Sequence, residues 1–133
     1  MEIREINIKT NIREQIVDIT HEVEELIKES KVINGYCIIS IPHTTAGITI
    51  NENADPAVKR DILNILDNLI PLYGDYEHIE GNSAAHVKAI LTGFSQIILI
   101  ENKTLKLGTW QGVYFCEYDG PRDRKVYVKI ISD

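Results

Sequence analysis

From Gln96 to Ile131 the chain is a succession of short apolar runs broken by turn residues, and this stretch constrains the fold more than any other. The runs are Gln96 to Glu101, Leu105 to Leu107, Trp110 to Tyr118 and Arg124 to Ile131, with turns at Asn102-Lys103 and Asp119-Gly120-Pro121. Runs rich in β-branched and aromatic residues, separated by Asn, Gly and Pro, are the pattern of an antiparallel meander. A meander has an apolar face that must be covered, so the earlier segments have to supply the cover.

Those segments read as strands alternating with helices. Ile3, Ile6 and Ile8 lie in a charged, extended segment with one apolar face, which reads as a strand. The period then changes: Ile12, Ile16, Ile19, Val23 and Leu26 recur at steps of four, three, four and three, which predicts a helix from Thr10 to about Ser30. His21 falls off its apolar stripe and is expected in solvent. Val32-Ile33-Asn34-Gly35 ends that helix, Tyr36 to Ile41 suits a central strand stopped by Pro42, and Ile48 to Asn51 reads as another strand. Asp55 before Pro56 has the form of an N-cap. The helix it opens should turn Val58, Ile62, Ile65, Leu66 and Leu69 inward and stop near Pro71. After a polar loop, Tyr73 to Gly81, a short helix runs from about Ser83 to Gly93, capped by Asn82 or Ser83 and carrying Ala85, His86, Ala89 and Ile90. With no internal repeat or linker, residues 1–133 form one domain. The fold class is α+β: a largely antiparallel, sandwich-like sheet subunit with about three helices packed on one side. Exposed sheet edges need cover, which self-association can provide.

Composition limits the function. The chain of 133 residues is long enough to bury a proper core without disulfides or metal. Its 14 Lys and Arg against 20 Asp and Glu give a formal charge of −6. That balance provides no broad cationic field, so neither nucleic acid nor an anionic membrane is an expected partner. No run of 18 apolar residues is present to span a membrane, and the segment from Met1 to Thr10 lacks the apolar stretch of a signal peptide. Cys37 and Cys116 sit in apolar runs without metal or redox spacing, and the cytoplasm is the simplest setting.

The informative residues lie in polar breaks, from which a rigid scaffold projects reactive groups. His43, His78 and His86 each stand at the edge of a regular element. Three imidazoles plus a water would make an open metal centre, able to polarise a phosphate or acidify water, although the seven residues between His78 and His86 match no standard zinc motif. Ordinary hydrogen-bonded loop and cap histidines are the alternative. Glu52, Glu80 and Glu117 are candidate carboxylates for proton transfer; Glu52 is preferred for its place among short polar residues near the His43 loop, beside Asn51. Thr44 and Thr45, with the amides of Ala46 and Gly47, can cradle an anion, and Arg122 and Arg124 suit bidentate phosphate recognition. Trp110 and Gln111 open a long apolar strand, where the indole is either a stacking wall for a flat heterocycle or a large core residue. Cys116 reads as a structural thiol rather than a nucleophile.

Ser95-Gln96-Ile97-Ile98-Leu99-Ile100 followed by Gly108-Thr109-Trp110-Gln111-Gly112-Val113 is similar to the signature of the YjbQ-type family of small proteins, some described as secondary thiamine-phosphate synthases. The H-T-T-A stretch from His43, the N-E-N-A-D stretch from Asn51 and the helix containing His86 agree with it. One departure is Lys103, where a turn glycine is expected. The resemblance covers essentially the whole chain. It implies a homotrimer of α+β subunits, with a polar cleft that binds a metal ion. Joined to the reading of the residues above, this leads to the expectation of a divalent metal, zinc or magnesium, held by His43, His78 and His86, and of action on a small phosphorylated metabolite, with Glu52, His86 and Arg122 as catalytic groups and Thr44, Thr45, Asn51, Trp110, Gln111 and Arg124 as substrate contacts. The reaction would join a pyrimidine pyrophosphate to a thiazole phosphate and release pyrophosphate. A metal-dependent hydrolase of a small phosphoester or amide, and a non-catalytic trimer that binds metal or metabolite, are the alternatives.

Overall fold

A computed structural model of the chain describes residues 2–133. The elements, in order, are β1 (Arg4–Lys9), β2 (Gln15–Asp18), α1 (Thr20–Ser30), β3 (Gly35–Ser40), β4 (Ala46–Glu52), α2 (Pro56–Leu69), α3 (Ser83–Thr92), β5 (Ser95–Glu101), β6 (Thr104–Leu105), β7 (Gln111–Glu117) and β8 (Asp123–Ser132). Five strands form one sheet in the order β1-β8-β3-β5-β6, and three form a second in the order β2-β7-β4. Every pairing is antiparallel.

The alternation of β7 explains the layering. Its Val113 and Phe115 enter a core shared with Cys37, Ile39, Ile98, Ile100, Val126, Val128 and Ile130 of the large sheet, Ile48 of β4, and Val23 and Ile27 of α1. Tyr114 and Cys116 point the other way, into a second core with Ile16 of β2 and Ala85 and Ala89 of α3. Ile62, Leu63 and Leu66 of α2 pack onto that core. The small sheet is therefore apolar on both faces, which is why β7 reads as a continuous buried run rather than an alternating one. The chain is a two-sheet sandwich with α2 and α3 on the outer face of the small sheet, while α1 closes the first core. The three helices do not share one side.

Two further sequence expectations are corrected. The residues from Thr10 to Ile19 are not helical: Gln15–Asp18 is β2, and α1 begins only at Thr20. Ile16 and Ile19 satisfy a helical period by coincidence, since Ile16 points into the second core and Ile19 into the first. In α2, capped by Asp55 through the Ala57 amide at 2.9 Å as expected, no residue is fully buried, and Ile65 and Leu69 face solvent. Only the Ile62, Leu63 and Leu66 part of its stripe finds a surface to cover. His21 is exposed on α1, in line with its place off the stripe.

Candidate functional site

Three chain segments converge at one end of the sandwich: the crossover from β3 to β4, the turn from β7 to β8, and the loop that leads into α3. The crossover carries Pro42, His43, Thr44 and Thr45. The turn carries Asp119 and Arg122, with Arg124 at the start of β8. The loop carries His78 and Glu80, and α3 adds Asn82 at its N-terminus and His86 in its first turns. All of these line a cavity of about 450 Å³. A neighbouring hollow of about 420 Å³ shares His43, Thr44 and His86 and continues over Ala89, Ile90 and Phe94, so the polar cleft opens onto an apolar wall.

A buried ion pair fixes this end. Glu117 is fully buried and Arg124 nearly so. Arg124 Nε donates to Glu117 Oε1 at 2.9 Å, its Nη2 donates to Glu117 Oε2, and Nη2 also donates to the Thr45 hydroxyl at 2.8 Å. The Thr10 hydroxyl donates to the same carboxylate at 2.7 Å. Because β7 and β4 belong to the small sheet and β1 and β8 to the large one, this cluster pins the sheets together directly beneath the cavity. Burial alone would push the Glu117 carboxyl up, but hydrogen bonds from Arg124, Thr10 and the Asp119 amide outweigh it and hold the carboxyl below its ordinary value. Thr45 and Glu117 thus support Arg124.

His43 is oriented from the large sheet. Its Nε2 accepts the backbone N–H of Lys125 at 2.9 Å. Burial and the nearby Arg124 charge both push its pKa down, which favours the neutral ring. A neutral imidazole that accepts at Nε2 carries its proton on Nδ1, so His43 is a hydrogen-bond donor. The rings of His78 and His86 meet edge to face with centroids 5.3 Å apart. Arg122 is half exposed and clasps Asp119, donating from Nε to its carbonyl at 2.7 Å and from Nη2 to its carboxylate at 2.9 Å.

Of the residues singled out in the sequence, His43, Thr44, Thr45, His78, His86, Arg122 and Arg124 are brought together here. Asn51, Glu52, Trp110 and Gln111 are not. They lie at the opposite end of the β4–β7 ladder, where Glu52 pairs with Gln111 and Asn51 with Gly112. β4 runs from Ala46 beside the cavity to Glu52, six residue steps or about 20 Å at the usual rise of a strand. Trp110 is 62% exposed and so is not a core residue. The carboxylates that line the cavity beside the histidines are Glu80 and Asp119. Asn82 and Asp119, read in the sequence only as a cap and a turn, are cavity residues; a usable signal was that Asn82 precedes His86 by one helical turn and Asp119 precedes Arg122 by three positions.

The donor set does not fit a three-histidine metal centre. The one lone pair of neutral His43 is taken by the Lys125 amide, and among the described residues no three His, Cys, Asp or Glu side chains are placed to hold an ion. The cavity is lined by three residues able to donate, His43, Thr44 and Arg122, together with the carboxylates of Glu80 and Asp119 and the imidazoles of His78 and His86. Such a set binds an oxyanion and can move protons around it.

Comparison with known proteins bears on the family and the fold. Residues 4–133 match the family described as UPF0047 protein YjbQ-like. A UPF0047 protein of Methanocaldococcus jannaschii is 59% identical over 126 residues, covering 95% of this chain and 91% of that protein. The UPF0047 protein YugU of Bacillus subtilis is 50% identical over 131 residues, covering 98% and 99%. A crystal structure of an uncharacterized conserved YjbQ/UPF0047-family protein from Clostridium acetobutylicum superposes with a TM-score of 0.95 at 61% identity, covering 96% of this chain and 99% of that one. A YbjQ-like protein of unknown function from Sulfolobus solfataricus gives 0.94 at 31% identity, with 99% and 97% covered. The chain belongs to the YjbQ/UPF0047 family.

Proposed function

We propose that the protein is a homotrimeric cytoplasmic enzyme acting on a small phosphorylated metabolite in the cavity between the β3–β4 crossover and α3. The observation that carries this reading is the convergence of His43, Thr44, His78, His86, Arg122 and Arg124 on one cavity of about 450 Å³, the size of a small metabolite. Arg122 and neutral His43 bind phosphate oxygens, and His78 and His86 exchange protons with the substrate. Imidazole is the side chain suited to that exchange at neutral pH.

If the activity is secondary thiamine-phosphate synthesis, the thiazole ring nitrogen forms a bond to the pyrimidine methylene carbon while the carbon–oxygen bond to pyrophosphate breaks. The departing oxygen takes the electron pair, and Arg122 stabilises that charge. The test is incubation of purified protein with the pyrimidine pyrophosphate and thiazole phosphate, with product and released pyrophosphate both measured. The expected outcome is product that needs both substrates and falls at least a hundredfold in His86→Ala and Arg122→Ala. Full activity in both variants would remove this site from the reaction, and turnover of one phosphoester with water would replace the synthase by a hydrolase.

A divalent metal would require His43 to release the Lys125 amide. Metal analysis of untagged protein before and after incubation with zinc or magnesium tests that: binding in stoichiometric amount, lost in His43→Ala, supports a rearranged centre.

A further inference from the structure

The hollow beside the polar cleft, about 420 Å³ in volume, shares His43, Thr44 and His86 with it, and its other lining residues are apolar: Ala46, Ala89, Ile90, Gly93 and Phe94. Ala46 and Ala89 are buried, whereas Ile90 is 78% exposed and Phe94 64%. On α3 and its C-cap, His86, Ala89, Ile90 and Gly93 follow at steps of three, one and three, so one helix face carries the lining from imidazole to apolar wall. The backbone under that wall is fixed. The Gly93 carbonyl accepts the Ile48 amide of β4 at 3.0 Å, and the Phe94 carbonyl accepts the Ile41 amide at 2.7 Å. Gly47 permits this seam, because a Cβ there would stand 2.8 Å from the Gly93 carbonyl oxygen. Both ends of the crossover that bears His43 and Thr44 are thus bonded to the segment that bears Phe94. Yet neither Ile90 nor Phe94 belongs to either core. Large apolar side chains held in solvent on a fixed backbone, next to a few convergent polar groups, are the make-up of a small-molecule pocket.

We propose that this wall is the second half of the binding site and that the ligand is amphipathic, a phosphate head in the polar cleft joined to an aromatic ring packed against Ile90 and Phe94. The proposal rests on the phosphorylated-metabolite reading above and names the class of metabolite: a phosphate ester of an aromatic group rather than of a sugar. Sugar hydroxyls would give up water against Ile90 and Phe94 and find no partner there. A ring loses nothing by that transfer and gains an aromatic contact with Phe94. Because His43, Thr44 and His86 line both hollows, the link between head and ring lies beside two imidazoles, where proton exchange serves bond making and breaking. Phe94 takes the stacking role that the sequence suggested for Trp110, which the fold carries to the opposite end of the β4–β7 ladder. Ile90 and Phe94 select the ligand and are not catalytic.

The test is calorimetric titration of the full chain with methylphosphonate and with benzylphosphonate, which share a head that water does not cleave and differ by one phenyl ring. Wild type, the double variant Ile90→Ala with Phe94→Ala, and Arg122→Ala are compared, each also by urea unfolding and sedimentation. Wild type should bind benzylphosphonate at least about tenfold more tightly, since burying a ring removes several apolar carbons from water. Both wall positions are exposed, so the double variant should keep its fold and sedimenting mass while the preference falls to about twofold or less and methylphosphonate binding is unchanged. Arg122→Ala should weaken both phosphonates by the same factor. Equal binding of the two by wild type, or a ring preference that survives the double variant, would overturn the wall and leave the proposed function standing. A preference lost together with sedimenting mass would give the wall to a neighbouring chain and overturn it too. Binding of neither phosphonate by wild type would sink both readings.

Discussion

At the scale of single residues, the Glu117–Arg124 pair is where the fold and the candidate site meet. Removing one partner of a buried ion pair strands the other charge and costs about 3–5 kcal/mol, whereas replacing both with apolar residues recovers much of the loss. Glu117→Ala should therefore lose about that much unfolding free energy, and Glu117→Met with Arg124→Met should be distinctly more stable than either single change in urea denaturation. The pH dependence has a definite sign. The folded state holds the Glu117 carboxyl below its ordinary value of 4.5, so the stabilisation is complete above that value and disappears as the pH falls through the lower folded-state value. Wild type should thus lose more stability than Glu117→Gln between pH 6 and pH 3. Lys103 offers the opposite case. Its φ of 68° and that of Asn102, 53°, place the β5–β6 turn in the left-handed region. Lys103→Gly relieves strain of about 1–2 kcal/mol, partly offset by the freer unfolded chain, and should raise stability by about 0.5–1 kcal/mol, read as a higher urea midpoint with an unchanged slope. Asp55 was legible as a cap because everything it needs lies within two residues. Asn82 was not, because its Nδ2 donates to Asp119, 37 positions away, and its side chain leaves the helix uncapped.

At the scale of elements, the strands were legible where local pattern and tertiary setting agree, as in the meander from β5 to β8. They were obscured where two cores share one segment. Ile16 and Ile19 are three apart and both buried, yet they point into different cores on either side of the small sheet, and no sequence period distinguishes that from one helix face. The same layering explains α2. It covers the second core only through Ile62, Leu63 and Leu66, and it is tied further by Lys59, whose Nζ lies 5.5 Å from the centre of the Tyr114 ring, and by Asp67, which meets Lys88 Nζ at 2.5 Å. Lys88 is 1% exposed, and its Nζ also reaches Glu14 at 2.9 Å. Lys88→Met would leave the nearly buried Glu14 carboxylate with only the half-exposed Arg13, at 3.0 Å, as its cation and would untie α2 from α3. The expected result is a loss of about 3–5 kcal/mol, with hydrogen exchange of α2 amides accelerated more than that of β3 or β8 amides. Equal acceleration throughout the chain would show that α2 has no separate tether.

At the scale of the whole molecule, the surface is more apolar than one chain requires. On β3 and β5 the register places Tyr36 opposite Leu99 and Ile38 opposite Ile97, all on the face turned away from the core. Ile97 is 65% exposed and Leu99 60%. Leu91 of α3 is exposed as well. Contiguous apolar surface of this kind marks an interaction site, and the proposed homotrimer is the occupant that the family resemblance implies. It would also bring other chains to a cleft whose own Asn51, Glu52, Trp110 and Gln111 lie about 20 Å away along β4. Substituting Ile97→Lys together with Leu99→Lys changes only outward positions, so each chain should keep its fold by circular dichroism. Sedimentation should then shift from about 45 kDa, three copies of a 15.1 kDa chain, to the mass of one. Trp110 is the single tryptophan of the chain, so its emission reports the opposite end of the β4–β7 ladder alone. If assembly covers that end, the wild-type emission should be blue-shifted relative to the double lysine variant. A monomeric wild type would show instead that the apolar face serves a different protein, and that the residues around Trp110 belong to a surface separate from the cavity.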